Sequence, residues 1–230
     1  MKQLIPVLAA GVLILTGAAA ADNVPASEAP ASGLVWTPRD GDVIRFDVLR
    51  QGKPFGSHVV RFEVAPDGTL EAHTNVKLRA GLGPIQLYSY DLQATERWQD
   101  GRLVELDGQV NSDGKKGSVT ARADGDVLEV DGTAFDGEVP DTIIPASHWN
   151  IAETQTDTLL SSENGQLIDV SVKPLGRETL NVAGTAVETN KFLLDSDIDV
   201  TLWYDDAGRW LKLSFTARGQ DIDYVLAEAY

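Results

Sequence analysis

The segment PASHWN, residues 145–150, places a serine beside one of three histidines in the chain. Serine and histidine are the residue types of a nucleophile and its general base, so this segment is the first candidate for hydrolytic catalysis. In an extended backbone, however, Ser147 and His148 point to opposite faces and cannot make the required hydrogen bond. The G-x-S-x-G pattern of a nucleophile elbow is also missing. His148 is therefore a weak catalytic candidate, and the sequence favours a structural corner with Trp149 as a buried anchor.

The aspartates of DSDIDVTLWYDD are weak candidates for a metal site. Asp195, Asp197 and Asp199 have the first spacing of a calcium-binding loop, but Val200 stands at the sixth position, where such a loop needs glycine. The run also alternates like a strand, which would place the three carboxylates on one face. Since the sequence has no cysteine and no histidine pair at zinc-binding spacing, no metal or other cofactor is predicted.

An aromatic stripe in YSYDLQATERW is the most distinctive pattern for binding. Its alternate residues from Tyr88 to Trp98 share one face, with Glu96 among them. The stripe is explained either by cross-strand packing or by an aromatic lining in which Glu96 is a polar anchor for a bound molecule. His58 lies on an apolar face and is either a core histidine or a polar group in the same pocket. The candidate ligand-binding residues are Tyr88, Tyr90, Glu96, Trp149, Tyr204 and His58.

The N-terminus has the features of a secretory signal peptide. Lys2 gives a positive start, and an apolar run too short to span a membrane comfortably precedes an A-x-A cleavage site after Ala21. Without cysteine, neither a lipid anchor nor a disulfide is expected. We predict a signal peptide over 1–21, a flexible Pro/Ala/Ser tether over 22–33 and a single domain over 34–230. The mature protein is expected to be soluble and either periplasmic or secreted.

The charge of the chain limits its partners. The formal net charge is −16, and the Lys and Arg residues are scattered, whereas a nucleic acid or an anionic membrane surface requires them to be clustered. We therefore expect no nucleic acid partner. No membrane span is expected either, because no second apolar stretch approaches the roughly 20 residues that a spanning helix needs. A hydrophobic or amphiphilic small molecule remains a possible partner, and protein partners are left open.

Turn signals divide the chain into short extended segments. Asp-Gly and Asn-Gly tolerate the positive φ angles of tight hairpins. They begin at Asp40, Asp67, Asp100, Asp107, Asp113, Asp124, Asp131, Asp136 and Asn164.

Between these turns, apolar residues alternate with period two, which is typical of strands with one buried face. In HVVRFEV, His58, Val60 and Phe62 share a face. In RWLKLSFTAR, the alternation places Leu211 and Leu213 on one face and Trp210 with Lys212 on the other.

The pattern predicts an all-β fold with about twelve strands in meander order. The two architectures that fit are one large antiparallel sheet, strongly curved or barrel-like, and a two-sheet β-sandwich. Because no helix is predicted that could fill it, a single curved sheet is expected to hold a cavity lined by apolar side chains.

Several segments together resemble a known family. ERWQDGRLVEL, PASHWN, SENGQLIDVSVKPLGRETLNVAG and LWYDDAGRWLKLSF, after the opening IRFDVLRQGKPFGSHVV, resemble domain-of-unknown-function family 6134, an exported bacterial family that is similar to family 3108. The resemblance covers nearly the whole mature chain. It implies a secreted, strand-rich single domain and transfers no catalytic residue, because the matching Trp98, Trp149, Trp203 and Gly208 suit structural roles as well as functional ones.

Three hypotheses of function follow from the sequence. The first is a non-catalytic, carrier-like protein that binds a hydrophobic or amphiphilic small molecule in the periplasm. The second is a cell-envelope structural or assembly module. The third is a hydrolase that uses His148 or a pair of carboxylates, although abundant carboxylates do not identify which two would face each other. The sequence favours a non-enzymatic role.

Overall fold

The structure is a computed structural model that describes residues 36–82 and 85–229. The predicted signal peptide (1–21) and tether (22–33) lie outside the described residues and stay predictions. Within the described part of the chain, no helix is long and apolar enough to cross a bilayer.

The described residues form sixteen strands and one 3-10 helix, which spans Ile151–Gln155. The strands are β1 (Val43–Arg50), β2 (Lys53–Val64), β3 (Leu70–Leu82), β4 (Ile85–Gln99), β5 (Arg102–Ser112), β6 (Lys115–Asp124), β7 (Val127–Gly132), β8 (Asp136–Pro140), β9 (Ile144–Pro145), β10 (Thr158–Leu160), β11 (Leu167–Asp169), β12 (Ser171–Val182), β13 (Thr185–Asp195), β14 (Val200–Asp205), β15 (Trp210–Ala217) and β16 (Gln220–Ala229).

One antiparallel sheet contains thirteen of these strands, in the order β12-β13-β14-β15-β16-β1-β2-β3-β4-β5-β6-β7-β8. The order is a meander in which β1 pairs with β16, so that Ile44 lies opposite Ala229 and Arg50 opposite Ile222. Because β12 and β8 are unpaired edges, the sheet does not close. The prediction of a single large meander sheet, curved and barrel-like, is confirmed, and the two-sheet alternative is wrong.

Residues 141–170 connect β8 to β12, and we call them the inner segment. They contain the 3-10 helix and a small sheet of β9, β10 and β11. Within this segment Trp149 bonds to Glu96 on β4, and Glu153 accepts a bond from Tyr204 on β14. Since many strands separate β4 from β14, the sheet must curve strongly around the segment. The inner segment therefore packs against the concave face.

The alternation predicted from the sequence is largely correct. On β2, His58, Val60 and Phe62 are buried on the inner face. A hairpin turn joins β14 to β15, with Gly208 at φ 85° and with the backbone N–H groups of Ala207 and Arg209 bonded to the Asp205 carboxylate.

Two kinds of predicted backbone feature are wrong in places. Among the predicted turns, Asp107-Gly108 lies inside β5, where Asp107 pairs with Thr95 and Thr120, and Asp136-Gly137 lies inside β8, where Gly137 pairs with Val130. The strand predicted across Asp195–Asp199 ends at Asp195, and residues 196–199 form the connection between β13 and β14, where the chain reverses.

The predicted facing of Trp210 is also wrong, and the reason is a β-bulge. Trp203 pairs with Lys212, but its neighbour Tyr204 pairs with Trp210, so Leu211 is an extra residue on β15. An extra residue reverses the alternation on its strand. Trp210 consequently joins the inner face, where it is fully buried and packs on Phe46 with ring centroids 4.2 Å apart.

Candidate functional site

The inner segment packs into the space in which the sequence predicted an apolar cavity, since its Trp149, Leu159 and Leu160 side chains belong to the same buried cluster as the inner face. Two depressions on the described surface, with volumes of about 530 and 330 Å³, lie on the outer face and are lined mainly by polar side chains such as Asp91, Gln93 and Gln109. The candidate site must therefore be sought along the seam between the inner face and the inner segment.

The hairpin turns define two ends of the inner face. At one end, which holds the β2–β3, β4–β5 and β14–β15 turns, inward side chains are buried almost completely, except that of His148, which is 21% exposed. We call it the sealed end. It comprises Phe62, Glu96, Trp98, His148, Trp149, Glu153, Tyr204 and Trp210.

Glu96 is the polar centre of the sealed end. Its Oε2 atom accepts hydrogen bonds from the indole nitrogens of Trp98 at 2.9 Å and Trp149 at 3.0 Å. Burial raises the pKa of Glu96 to about 7, while the Ser147 hydroxyl and the two indoles act in the opposite direction. A carboxyl group with this pKa can gain or lose a proton near neutral pH, although it has no route to solvent that a substrate could use, because it is fully buried.

His148 forms the second polar group of the sealed end. Its Nδ1 atom lies 3.1 Å from the buried carboxylate of Glu153, which also accepts a hydrogen bond from the Tyr204 hydroxyl at 2.5 Å. The backbone of His148 has φ 67°, a conformation that non-glycine residues rarely adopt. The segment is a corner, as the sequence favoured, and Trp149 is its buried anchor.

The His148–Glu153 pair has one of the two contacts that a hydrolytic site requires. A base oriented by a carboxylate must also contact a nucleophile. Within the described residues, no hydroxyl group is hydrogen-bonded to the imidazole of His148, whose Nδ1 atom lies beside the Glu153 carboxylate. The contacts of Glu153 with His148 and Tyr204 therefore hold the inner segment against β14.

His58 lies midway between the two ends and belongs to the core. Its ring meets the edges or faces of Trp210 and Tyr224 at centroid distances of 5.2 and 5.7 Å. Burial, with a smaller effect from His148, lowers the pKa of His58 to about 3. The imidazole is therefore neutral in any ordinary buffer, and it is a polar group without a charge.

At the opposite end, which holds the β1–β2, β3–β4, β5–β6, β13–β14 and β15–β16 turns, several inward side chains are only partly buried. We call it the aromatic end. It comprises Phe55, Tyr88, Tyr90, Val172, Val200 and Phe215. Phe55 and Tyr88 stack with ring centroids 5.7 Å apart. Here apolar surface remains in contact with solvent.

Glu163 of the inner segment marks the boundary of the aromatic end. Its carboxylate accepts a hydrogen bond from Tyr90 at 2.7 Å. The turn that carries it can approach the sheet because Gly108 has no side chain: an added Cβ would lie 1.9 Å from the Ser162 carbonyl oxygen. This close approach is the physical reason for a glycine inside β5.

The six predicted ligand-binding residues all face inward, but they divide between the two ends. Glu96, Trp149 and Tyr204 belong to the sealed end, His58 lies between, and Tyr88 and Tyr90 belong to the aromatic end. Sequence reasoning missed Phe55, Glu153 and Glu163. Phe55 is the extra residue of a bulge on β2, and the two glutamates lie in the irregular inner segment, so no periodicity could place them.

The carboxylates predicted as weak metal candidates lie at the turn after β13. Asp195 pairs with Lys173, and Asp197 and Asp199 are exposed. Within the described residues, the group that brings histidine and carboxylate ligand atoms within 4.8 Å of one another is Glu63, Glu71 and His73 on the outer face. Glu71 is already paired with Arg97 at 2.7 Å, so these contacts are accounted for by ordinary cross-strand pairing.

The family of the chain is established by a match to a family model. The family described as Domain of unknown function (DUF6134) matches residues 46–227, and the chain belongs to this family. No curated protein matches the chain.

Two solved structures are similar to the fold. The crystal structure of a β-barrel-like protein of domain of unknown function DUF1849 from Brucella abortus matches with a TM-score of 0.56 and 11% identity, over 84% of this chain and 100% of that chain. The crystal structure of LprF from Mycobacterium bovis matches with a TM-score of 0.32 and 13% identity, over 82% of this chain and 85% of that chain. The first supports the barrel-like fold alone.

Proposed function

We propose that the protein is a non-catalytic binding protein that holds a hydrophobic or amphiphilic small molecule at the aromatic end of its inner face. It acts after export, in the periplasm or outside the cell, since the sequence predicts a signal peptide. The bound molecule lies against Tyr88, Tyr90 and their apolar neighbours, above the turn that carries Glu163.

The observation that carries this proposal is the difference in exposure along one continuous face. Inward residues are almost completely buried at the sealed end, whereas Tyr88, Tyr90, Val200 and Phe215 keep exposed apolar surface at the aromatic end. Covering such surface contributes about 25 cal/mol per Å² before the costs of ordering the ligand. Tyrosines also offer rigid rings with a hydroxyl that can orient a polar group.

The proposal places no reaction at the site. Among the described residues the carboxylates of Glu96 and Glu153 are fully buried. Both belong to the sealed end, and their hydrogen-bond partners are side chains that hold the inner segment in place. These two carboxylates are thus separated from the surface on which a ligand would lie.

A titration with a neutral fluorescent probe, N-phenyl-1-naphthylamine, tests the binding proposal. The wild-type protein is expected to bind the probe with enhanced fluorescence, and Tyr88→Ala is expected to weaken binding by about 10-fold. The matched control is Leu87→Ala, because Leu87 precedes Tyr88 but lies on the outer face with 69% of its surface exposed. Equal loss in both variants would show that the probe binds elsewhere.

Native mass spectrometry of protein purified from its own host supplies the second test. A co-purifying small molecule that is retained by Leu87→Ala and lost from Tyr88→Ala supports the proposal. Failure of the probe to bind the folded wild-type protein, together with no co-purified molecule, would contradict it.

A further inference from the structure

Two arginines at the aromatic end differ from most arginines of the protein. Ion pairs with carboxylates engage most of the others, namely Arg45, Arg79, Arg97, Arg102, Arg122, Arg177 and Arg209. Arg50 and Arg218 have no such partner among the described residues. In a chain with a formal net charge of −16, carboxylates are abundant, so an arginine left without one is informative. Arg39 and Arg61 also lack a carboxylate partner among the described residues. Arg39, however, lies near the sealed end, and Arg61 lies on the outer face of β2.

The backbone brings Arg50 and Arg218 to adjacent hairpin turns. Arg50 ends β1 and pairs with Ile222 on β16, while Ala217 pairs with Gln220 across the turn that contains Arg218. The Gln51 amide also bonds to the Asp221 carbonyl oxygen at 2.8 Å. The two turns therefore form one side of the rim of the aromatic end.

The side chain of Arg50 lies over the aromatic cluster. Its Cζ atom is 5.3 Å from the centre of the Phe55 ring, and Phe55 in turn stacks on Tyr88. A planar guanidinium over a ring keeps its N–H groups free to bond at its edge. Arg218 lies close enough to Tyr88 to lower the pKa of its hydroxyl, against the larger opposing effect of burial. Both arginines therefore belong to the part of the rim next to the stacked pair.

Three carboxylates near this cluster have hydrogen-bond partners other than arginine. Asp221, at the start of β16, accepts hydrogen bonds from the Thr216 hydroxyl at 2.9 Å and the Gln51 side-chain amide at 3.4 Å. Asp113 accepts one from the Ser89 amide at 2.7 Å, and Glu163 accepts one from the Tyr90 hydroxyl at 2.7 Å. None of the three forms an ion pair with a described arginine, so Arg50 and Arg218 offer guanidinium donors, which match carboxylate and phosphate oxygens in a bidentate arrangement.

We propose that the ligand of the aromatic end is an anionic amphiphile, whose carboxylate or phosphate head is bound between Arg50 and Arg218 and whose apolar part lies on Phe55, Tyr88 and Tyr90. The inference rests on the binding function proposed above and adds the chemical class of the ligand. The overall negative charge of the protein opposes an anion at long range, so the selectivity arises from short-range contacts with the two guanidinium groups.

Displacement of N-phenyl-1-naphthylamine by ligands that share one dodecyl chain tests this inference. Dodecanoate and dodecyl phosphate carry the two possible anionic heads, dodecyltrimethylammonium carries a cation, and dodecyl maltoside is neutral. All are used below their micellar concentrations. We expect at least one anionic ligand to bind about 10-fold or more tightly than the neutral one, and the better of the two heads identifies carboxylate or phosphate.

Two variants locate the anionic head. Arg50→Gln and Arg218→Gln are expected to lower affinity for the preferred anionic ligand about 10-fold each, with unchanged affinity for dodecyl maltoside. Arg61→Gln is the matched control, since Arg61 is equally unpaired but lies on the outer face, and it is expected to leave both affinities unchanged. The thermal unfolding temperature of each variant confirms that it is folded.

The outcomes separate this inference from the binding proposal. Equal affinity for anionic and neutral ligands, or tighter binding of the cation, would overturn the anionic class while the binding function stands. Selectivity that survives both Arg50→Gln and Arg218→Gln would overturn the assigned head site. Failure of all four ligands and of the neutral probe to bind would contradict the proposed function itself.

Discussion

The sealed end and the aromatic end lie on the same inner face of one sheet, yet their side chains are used differently. At the sealed end, indole N–H groups of Trp98 and Trp149 are bonded to Glu96, and the Tyr204 hydroxyl is bonded to Glu153. At the aromatic end, Tyr88 stacks on the buried Phe55 but is itself partly exposed. The comparison suggests that large aromatic residues stabilise the fold at one end and remain free for binding at the other.

The inner segment explains how the difference arises. Its corner at His148 and Trp149 fills the sealed end, and the turn with Glu163 reaches only the boundary of the aromatic end. A curved sheet without such a segment would hold a through-going cavity. Because the inner segment packs inside the curved sheet, the interior is a packed core, and partly exposed apolar side chains remain at the aromatic end.

Truncating the anchor of the sealed end is expected to have the largest effect on stability. Trp149→Ala removes a buried indole, its packing against Phe62 and Trp98, and its bond to Glu96. The free energy of unfolding should fall by about 3–5 kcal/mol, measured by urea denaturation. A loss no greater than that of a surface substitution would show that the inner segment does not stabilise the fold.

The next effect concerns the pH dependence of the sealed end. Burial raises the pKa of Glu96 from 4.5 to about 7, so the folded carboxyl keeps a proton that the unfolded one releases, and its contribution to stability is lost as the pH rises through this window. At about 1.4 kcal/mol per pH unit, the loss is about 3 kcal/mol.

Glu96→Gln removes this titration and can keep both indole bonds on its amide oxygen. Its stability relative to wild type should therefore increase by about 3 kcal/mol between pH 4.5 and 8, measured by urea denaturation across that range. The exposed Glu138→Gln serves as control and should follow wild type. Parallel curves for Glu96→Gln and wild type would contradict the assignment.

Moving the turn of the inner segment tests the boundary between the two ends. In Gly108→Ala the added Cβ would lie 1.9 Å from the Ser162 carbonyl oxygen, whereas in Gly117→Ala the shortest contact would be 3.0 Å. We expect Gly108→Ala to lose about 1–3 kcal/mol of stability and to weaken probe binding, with smaller changes in Gly117→Ala. Urea denaturation midpoints of the two variants measure the change in stability, and the probe titration measures the change in binding. Identical midpoints would show that the turn does not pack closely against β5.

The smallest expected effect on stability is at the aromatic end. Tyr88→Ala removes a partly exposed ring and should lower the free energy of unfolding by about 1 kcal/mol, although it reduces ligand binding strongly. Calorimetry of this variant beside Trp149→Ala measures the contrast directly. If Tyr88→Ala destabilised the protein as much as Trp149→Ala, the distinction between the two ends would be lost.

The fold could be predicted further from the sequence than the site could. Period-two alternation placed His58, Val60 and Phe62 on the inner face because each strand buries one side. The bulge at Leu211 could not be seen in that alternation, and Trp210 was therefore placed on the wrong face. Gly108 was predicted to form a turn because glycine serves both turns and close backbone approaches, and only the position of the inner segment decides between them.

The site depended on contacts between distant parts of the chain. The alternation of one strand predicted that Tyr88, Tyr90 and Glu96 share a face. Their division between two ends follows from the path of the inner segment, whose irregular backbone has no sequence periodicity from which its path could be predicted. Likewise, the isolation of Arg50 and Arg218 from carboxylates is a property of the folded chain. Composition alone gives the opposite impression, because acidic residues outnumber basic ones by 35 to 19.

A nuclear magnetic resonance titration with dodecanoate tests the central claim most directly. The account predicts shifts of the backbone amides of Phe55, Tyr88 and Tyr90, while the indole N–H signals of Trp98 and Trp149 stay unchanged because those groups are bonded to Glu96 inside the sealed end. Shifts of the two indole signals without shifts at Tyr88 and Tyr90 would contradict it.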